Sequence, residues 1–460
     1  MNPKLSVILP SLNVESYIEQ AVGSVMNQSL REIEIICVDA GSNDGTREKL
    51  QSLSEQDSRI IIIDSEKKSY GYQMNIGIRS AKGEYIGIVE TDDYIDGDMY
   101  EILYNRAISQ NADVAKGVLY EVYETKSGEM TEFYIDYIRD SQSGEKILHP
   151  DDNPEVHNWD GNIWNGIYKR NFLIHNNIFF NESAGAAFQD IGFQQLVLNE
   201  ASSVLYIHNH FYHYRKERPG ASTWNPKCLG YIYTEYRRLL EEKQIKSNHL
   251  KWVYMRMIPA YLYELEKALI YSDFEMAGLD CKEAVDWFFE KVNAAIEGGV
   301  LRLDDLDENH KSRFLEFKDN KGSFIKSFRE GVESLTSWIG RVDKIKGERK
   351  LIVFGAGGYG IQIARFLIRN GILISGFVDN AAWKYDLKHF GLRVMSLDES
   401  LRFHPDACYL IANKKSGREM VLQLSEKGIK EDRFLVFDGS DTVLLDGIGS
   451  MRILPDRVCF

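Results

Sequence analysis

Glu84-Tyr85-Ile86-Gly87-Ile88-Val89-Glu90-Thr91-Asp92-Asp93 runs an apolar segment straight into three carboxylates. Strands covered on both faces of a parallel sheet read as near-continuous apolar runs. Ligands of open α/β sheets bind just outside the carboxyl ends of such strands. The acids therefore stand where a site is expected. Carboxylates gathered there repel one another unless a cation joins them, and hard divalent ions such as Mg2+ or Mn2+ take oxygen ligands. The plainer alternative is a helix N-terminus, where the dipole favours Asp and Glu.

Outward from this stretch, strand and helix patterns alternate over residues 1 to about 120. Leu5–Leu9, Ile33–Val38, Ile60–Ile63 and Tyr85–Val89 read as strands. Glu15–Asn27, with Tyr17, Ile18, Val22 and Val25 at helical spacing, Arg47–Leu53 and Tyr72–Ser80 read as helices. This rhythm predicts a parallel sheet with right-handed crossovers. Three loops then meet at one sheet edge: Pro10-Ser11-Leu12-Asn13, Asp39-Ala40-Gly41-Ser42 and Glu90-Thr91-Asp92-Asp93. Asp39 is able to accept from a base N–H, and a diphosphate beside carboxylates needs a metal. The set suits a nucleoside diphosphate derivative held through a cation.

The rest of the chain divides by pattern. From 121 to 225 aromatics mix with short strands, as in Ser203–Arg215. Residues 226–345 read as a helical packing region, with Tyr231–Glu242, Leu250–Ser272, Cys281–Glu297 and Ser323–Ile339 as helices. Residues 346–460 begin a second βαβ unit. Leu351-Ile352-Val353-Phe354 is followed by Gly355-Ala356-Gly357-Gly358-Tyr359-Gly360, a G-x-G-x-x-G loop, and Asp379 lies about twenty residues on. Ala407–Ala412 and Phe434–Phe437 continue that sheet. No Tyr-x-x-x-Lys pair follows, so redox chemistry is disfavoured against nucleotide or sugar-nucleotide binding, or a packing and oligomerisation role. Gly355, Gly357, Gly360 and Asp379 are the expected contacts of such a nucleotide.

The 460-residue chain is 44% hydrophobic and 27% charged, as expected of two or three folded domains. Its net charge of −14 argues against nucleic acid as the main partner. The five cysteines form no Cys-x-x-Cys pair, which speaks against zinc or a disulfide framework. Met1-Asn2-Pro3-Lys4 leads directly into a strand, and no apolar run approaches the ~20 residues of a membrane span. A bacterial-type cytoplasmic location is expected, and peripheral association with the inner membrane face is compatible with it.

Residues 1 to about 225 resemble the family 2 glycosyltransferases, which have the GT-A fold. The resemblance rests on Ser6-Val7-Ile8-Leu9-Pro10-Ser11-Leu12-Asn13, Val38-Asp39-Ala40-Gly41-Ser42-Asn43-Asp44-Gly45-Thr46 and Asn75-Ile76-Gly77-Ile78. It extends through Ala81-Lys82-Gly83-Glu84-Tyr85-Ile86, Trp164-Asn165-Gly166-Ile167-Tyr168-Lys169-Arg170, Phe188-Gln189-Asp190 and Tyr212-His213-Tyr214-Arg215. It implies a GT-A nucleotide-sugar-binding domain there, and with the patterns downstream the chain is expected to be an α/β protein with a helical middle region and a smaller C-terminal Rossmann-like parallel-sheet domain. It also implies inverting transfer of a hexosyl or N-acetylhexosaminyl group from a nucleotide-sugar, usually UDP-linked, to a glycan or lipid-linked acceptor of bacterial surface polysaccharide.

By the same resemblance Asp190 is the expected catalytic base. Glu90, Asp92 and Asp93 are the expected ligands of Mn2+ or Mg2+. Pro10, Asn13, Asp39, Asn75, Thr91 and Asp92 are the expected donor contacts. Three departures stand out: Glu90 replaces the commoner first Asp, Ala40 a second acid, and Gln189 the acid before the base. Trp159 and Trp164 suit either a sugar platform or core packing. His157, His208, His210 and His213 lack metal spacing. Arg215 and Arg218, near Pro219-Gly220-Ala221-Ser222, suit either closure over a diphosphate or a solvated loop. The alternative class is a sugar-nucleotide oxidoreductase or sensor working through Gly355–Gly360.

Overall fold

The computed structural model describes residues 3–124, 130–135, 145–216, 227–385, 387–389, 392–413 and 416–437. Arg218 and Pro219–Ser222 lie outside them. The first half runs β1 (Leu5–Ser11), α1 (Ile18–Met26), β2 (Ile33–Asp39), α2 (Thr46–Gln56), β3 (Ile60–Asp64), α3 (Tyr70–Ser80) and β4 (Tyr85–Ile88). It continues with β5 (Tyr94–Ile95), α4 (Met99–Gln110), β6 (Val114–Glu124), β7 (Met130–Ile135), β8 (Glu145–Leu148) and β9 (Gly166–Lys169). Helix α5 (Arg170–His175), α6 (Gln189–Glu200) and β10 (Val204–Arg215) complete it.

These strands form one mixed sheet in the order β3-β2-β1-β4-β9-β6-β10-β5, with β7 on β6 and β8 on β10. Every residue of β1, β2 and β4 is buried, as expected of strands covered on both faces. The β3-β2-β1-β4 half is parallel, as the alternating pattern predicts. The other half was not anticipated. β9 pairs antiparallel with both β4 and β6, and β10 is one long strand with two irregularities against β6.

The middle region holds α7 (Cys228–Arg237), which continues as a π-turn over Arg238–Glu242, then α8 (Ser247–Tyr271), α9 (Lys282–Glu297), α10 (Glu308–Asp319) and α11 (Lys321–Lys346). Phe288, Phe289, Phe314, Phe317 and Phe324 stack along its core. The last unit comprises β11 (Leu351–Phe354), α12 (Gly358–Arg369), β12 (Gly376–Val378), β13 (Lys388–His389), β14 (Leu392–Met395), α13 (Leu397–Phe403), β15 (Cys408–Ile411), α14 (Gly417–Glu426) and β16 (Phe434–Val436). Its sheet order is β13-β14-β12-β11-β15-β16, parallel except at β13. Among the described residues no helix is long and apolar enough to cross a membrane.

Candidate active site

The acids after β4 form a tight turn closed by the Asp93 N–H on the Glu90 carbonyl at 3.0 Å. Thr91 is buried and donates its hydroxyl to the Pro10 carbonyl at 2.7 Å, locking this turn to the end of β1. Thr91 and Pro10 therefore shape the floor of the site through each other. Asp39, at the end of β2, is also buried, and its Oδ1 accepts from the Ser42 hydroxyl at 2.6 Å. Asn13, with φ of 53°, accepts the Asn43 N–H on its side-chain oxygen. Gln73 ties the two strand ends together by donating to the carbonyls of Ser11 and Val38.

The expected three-acid metal site needs correction. Asp93 is wholly buried, and its carboxylate accepts from the Tyr212 hydroxyl at 2.9 Å and the Arg215 N–H at 2.7 Å. Among the described residues no group of three His, Cys, Asp or Glu side chains is placed to hold a metal. Burial, then the charges of Asp92 and Glu90, push the Asp93 carboxyl well above the carboxylate range. That crowding of negative charge is the strain a cation would relieve. Glu90 and Asp92 are the two acids left at the rim, and their oxygens are of the kind a hard divalent ion would take.

Asn75 does not join this rim. Its amide is consumed by the Phe180 backbone and by Glu182, so it pins α3 to the segment before α6. Trp164 is buried and stacks on Tyr212 with centroids 4.0 Å apart; Trp159 is buried against Tyr206. His213 bridges Asp96 and Glu132, and His157 contacts Gln195. Arg215 donates to the Asp92 carbonyl and to Gln20, and its guanidinium lies over Tyr17 and Tyr94.

Asp190 occupies the first turn of α6, where it accepts the Ile191 N–H at 3.0 Å. Phe188, just before the helix, is held at φ 66°, a costly conformation for a bulky residue. Burial pushes the Asp190 carboxyl up, against the Ile191 amide and the Arg256 charge. Two tyrosines, Tyr70 outside every motif and Tyr214 within the Tyr212–Arg215 stretch, feel its charge together with that of the rim acids. Tyr70 donates to Glu90 at 2.5 Å, and its phenol is pushed well up by burial, by Glu90 and also by Asp190. The phenol of Tyr214 is pushed up by burial and by the charges of Asp93, Asp92 and Asp190. The rim acids and Asp190 thus act on the same side chains.

A model of the glycosyl transferase family 2 matches residues 6–163. Glycosyltransferase GlyG of Streptococcus pneumoniae is 32% identical over 223 residues, covering 47% of this chain and 72% of GlyG. The chain is a family 2 glycosyltransferase. Glycosyltransferase GlyA of the same organism is 33% identical over 141 residues, which is 31% of this chain and only 20% of GlyA. The crystal structure of S. aureus TarS 1-349 in complex with UDP-GlcNAc covers 72% of this chain and 92% of TarS 1-349, with a TM-score of 0.50 and 17% identity. That likeness is one of fold.

At the C-terminal glycine loop, Gly355 has φ of +119°, and a Cβ on Gly360 would collide with the Gly355 carbonyl. The loop and the start of α12 therefore pack backbone to backbone. Gly357 caps α12 with no side-chain partner. Asp379 is already engaged: it accepts from the Ala356 N–H, the Ala381 N–H and Lys384 Nζ, each at 2.8 or 2.9 Å. Burial opposes its charge, but Lys384 and those amides hold the carboxyl below its ordinary range.

Proposed function

We propose that this enzyme transfers a sugar from a nucleoside-diphosphate sugar, UDP-linked by preference, to a hydroxyl of a glycan or lipid-linked acceptor in bacterial surface polysaccharide synthesis, with inversion at the anomeric carbon. The transfer chemistry belongs to residues 1–225, with 226–345 as a helical packing region and 346–460 as an accessory Rossmann-like unit. The observation that carries this reading is the acidic turn from Glu90 to Asp93, locked to the end of β1 through Thr91 and Pro10 and tied to α3 through Tyr70, in a chain of this family.

A sugar hydroxyl is a weak nucleophile at neutral pH. Asp190 takes its proton as the new bond to C1 forms, help worth about 10²–10⁴-fold. The C1–oxygen bond to the diphosphate breaks, and the electron pair leaves with the nucleoside diphosphate. One displacement from the opposite face inverts C1. Glu90 and Asp92 are the residues that would hold Mg2+ or Mn2+, and a bound ion supplies Lewis-acid stabilisation of the leaving diphosphate. Pro10, Asn13 and Asp39 border the nucleoside side, with Asp39 acting through its bond to Ser42.

Release of nucleoside diphosphate from UDP-, GDP- and dTDP-sugars, with and without Mn2+, tests the reading. Metal-stimulated release from one donor class supports it. A nicotinamide absorbance change that is indifferent to Asp92→Asn and Asp190→Asn would overturn it in favour of redox chemistry at the C-terminal loop.

A further inference from the structure

Arg256, on α8, lines a cleft of about 510 Å³ bounded by α6, α8 and α10, together with Ile191, Tyr263, Asn309 and Arg313. Among the described residues its guanidinium has no hydrogen bond or ion pair. The other cationic groups of the cleft are committed. Arg313 binds Glu266 through both Nε and Nη2, and His310 Nδ1 lies 2.5 Å from Asp307. A partly buried guanidinium without a carboxylate presents a fork of donors suited to phosphate or carboxylate.

One wall of the cleft is the first turn of α6, which carries Asp190. Ile191 follows Asp190 directly, and the Arg256 charge reaches the Asp190 carboxyl. Tyr236, fully buried on α7, has a hydroxyl with no hydrogen-bond partner and feels the charges of both Arg256 and Asp190. Buried polar atoms without partners are rare, and this one is within the influence of both an anion and a cation. Room for the arginine is built in: a Cβ on Gly161 would collide with Arg256 Nη2.

We propose that this cleft admits the acceptor, and that Arg256 grips an anionic group of it, the phosphate of a polyol phosphate or the carboxylate of a uronic acid, so that a neighbouring hydroxyl meets Asp190. The inference rests on Asp190 as base for its catalytic meaning, but the anion site is measurable without turnover. The full chain, saturated with UDP to fill the donor side, is titrated calorimetrically with glycerol phosphate and with glucuronate. Glycerol and glucose serve as neutral controls.

Wild-type protein is expected to bind one anion at least tenfold more tightly than its neutral counterpart, and the tighter anion names the acceptor class. Arg256→Gln is expected to lose that preference at least tenfold. Asp190→Asn should bind the anion at least as well as wild type, because a like charge is gone. Should Arg256→Gln not fold, Gly161→Ala, which displaces the guanidinium, is read in the same way. An anion affinity untouched by these changes, or a loss of UDP affinity in Arg256→Gln, overturns the proposal. If Asp190→Asn transfers sugar at the wild-type rate while Arg256→Gln loses the anion, the base assignment fails and the anion site stands.

Discussion

Tyr212 donates its phenolic hydrogen to Asp93 at 2.9 Å while its oxygen accepts the Glu90 N–H at 3.0 Å. One buried phenol thus fixes both ends of the acidic turn from across the sheet. Tyr212→Phe should leave the Glu90 amide and the Asp93 carboxyl each short of a partner. We expect a loss of about 1–3 kcal/mol in denaturant unfolding, with little change in slope. Donor affinity should fall as well, since the turn that presents Asp92 loosens.

Asp190 and Asp92 are expected to fail differently. Asp190→Asn should lower turnover by about 10²–10⁴-fold with donor affinity nearly intact. Asp92→Asn should weaken Mn2+-dependent donor binding about tenfold or more, with a smaller effect when the metal is omitted. Calorimetry with UDP plus initial rates separates the two, and identical profiles would contradict the division of labour.

Glu235, on α7 beside Asp190, is buried and its carboxyl is pushed up to about 7, chiefly by burial. A raised value in the fold means that the protonated form is favoured there. Its contribution to stability is full below the ordinary glutamate value of 4.5 and is lost as pH rises to about 7. Glu235→Gln keeps an acceptor for Asn181 and does not titrate. We expect the variant's advantage over wild type to grow by about 1–3 kcal/mol between pH 4 and pH 8. Equal pH dependence of the two unfolding curves would refute this.

Gly360→Ala should destabilise the C-terminal unit by about 1–3 kcal/mol, because α12 cannot retreat from the Gly355 carbonyl without leaving β11. Hydrogen exchange should quicken at β11 and α12 and leave β1, β2 and β4 unchanged.

The parallel half of the large sheet was legible because its strands are apolar on both faces and alternate with helices. Leu5–Ser11 and Ile33–Asp39 carry that pattern openly. Gly166–Lys169 does not: four residues cannot display a period, and their antiparallel place between β4 and β6 is set by partners far along the chain. The rim acids were legible as a cluster but not as individuals. Asp92 and Asp93 are neighbours in sequence but not in environment, since Asp93 is buried under Tyr212 and the Arg215 N–H while Asp92 stays half-exposed at the rim. Tyr70, Tyr236 and Arg256 belong to no motif; each matters through a neighbour that only the folded chain supplies.

The insertion of β9 between β4 and β6 also sets an order of events at the ribosome. All four parallel strands lie within residues 5–88, so the edge of β4 that pairs with β9 has no partner until Gly166–Lys169 arrives. Bare edges recruit strands from other molecules. A nascent chain stalled in that interval, or a fragment cut near residue 150, is therefore the species most prone to self-association, and chaperone dependence should peak there.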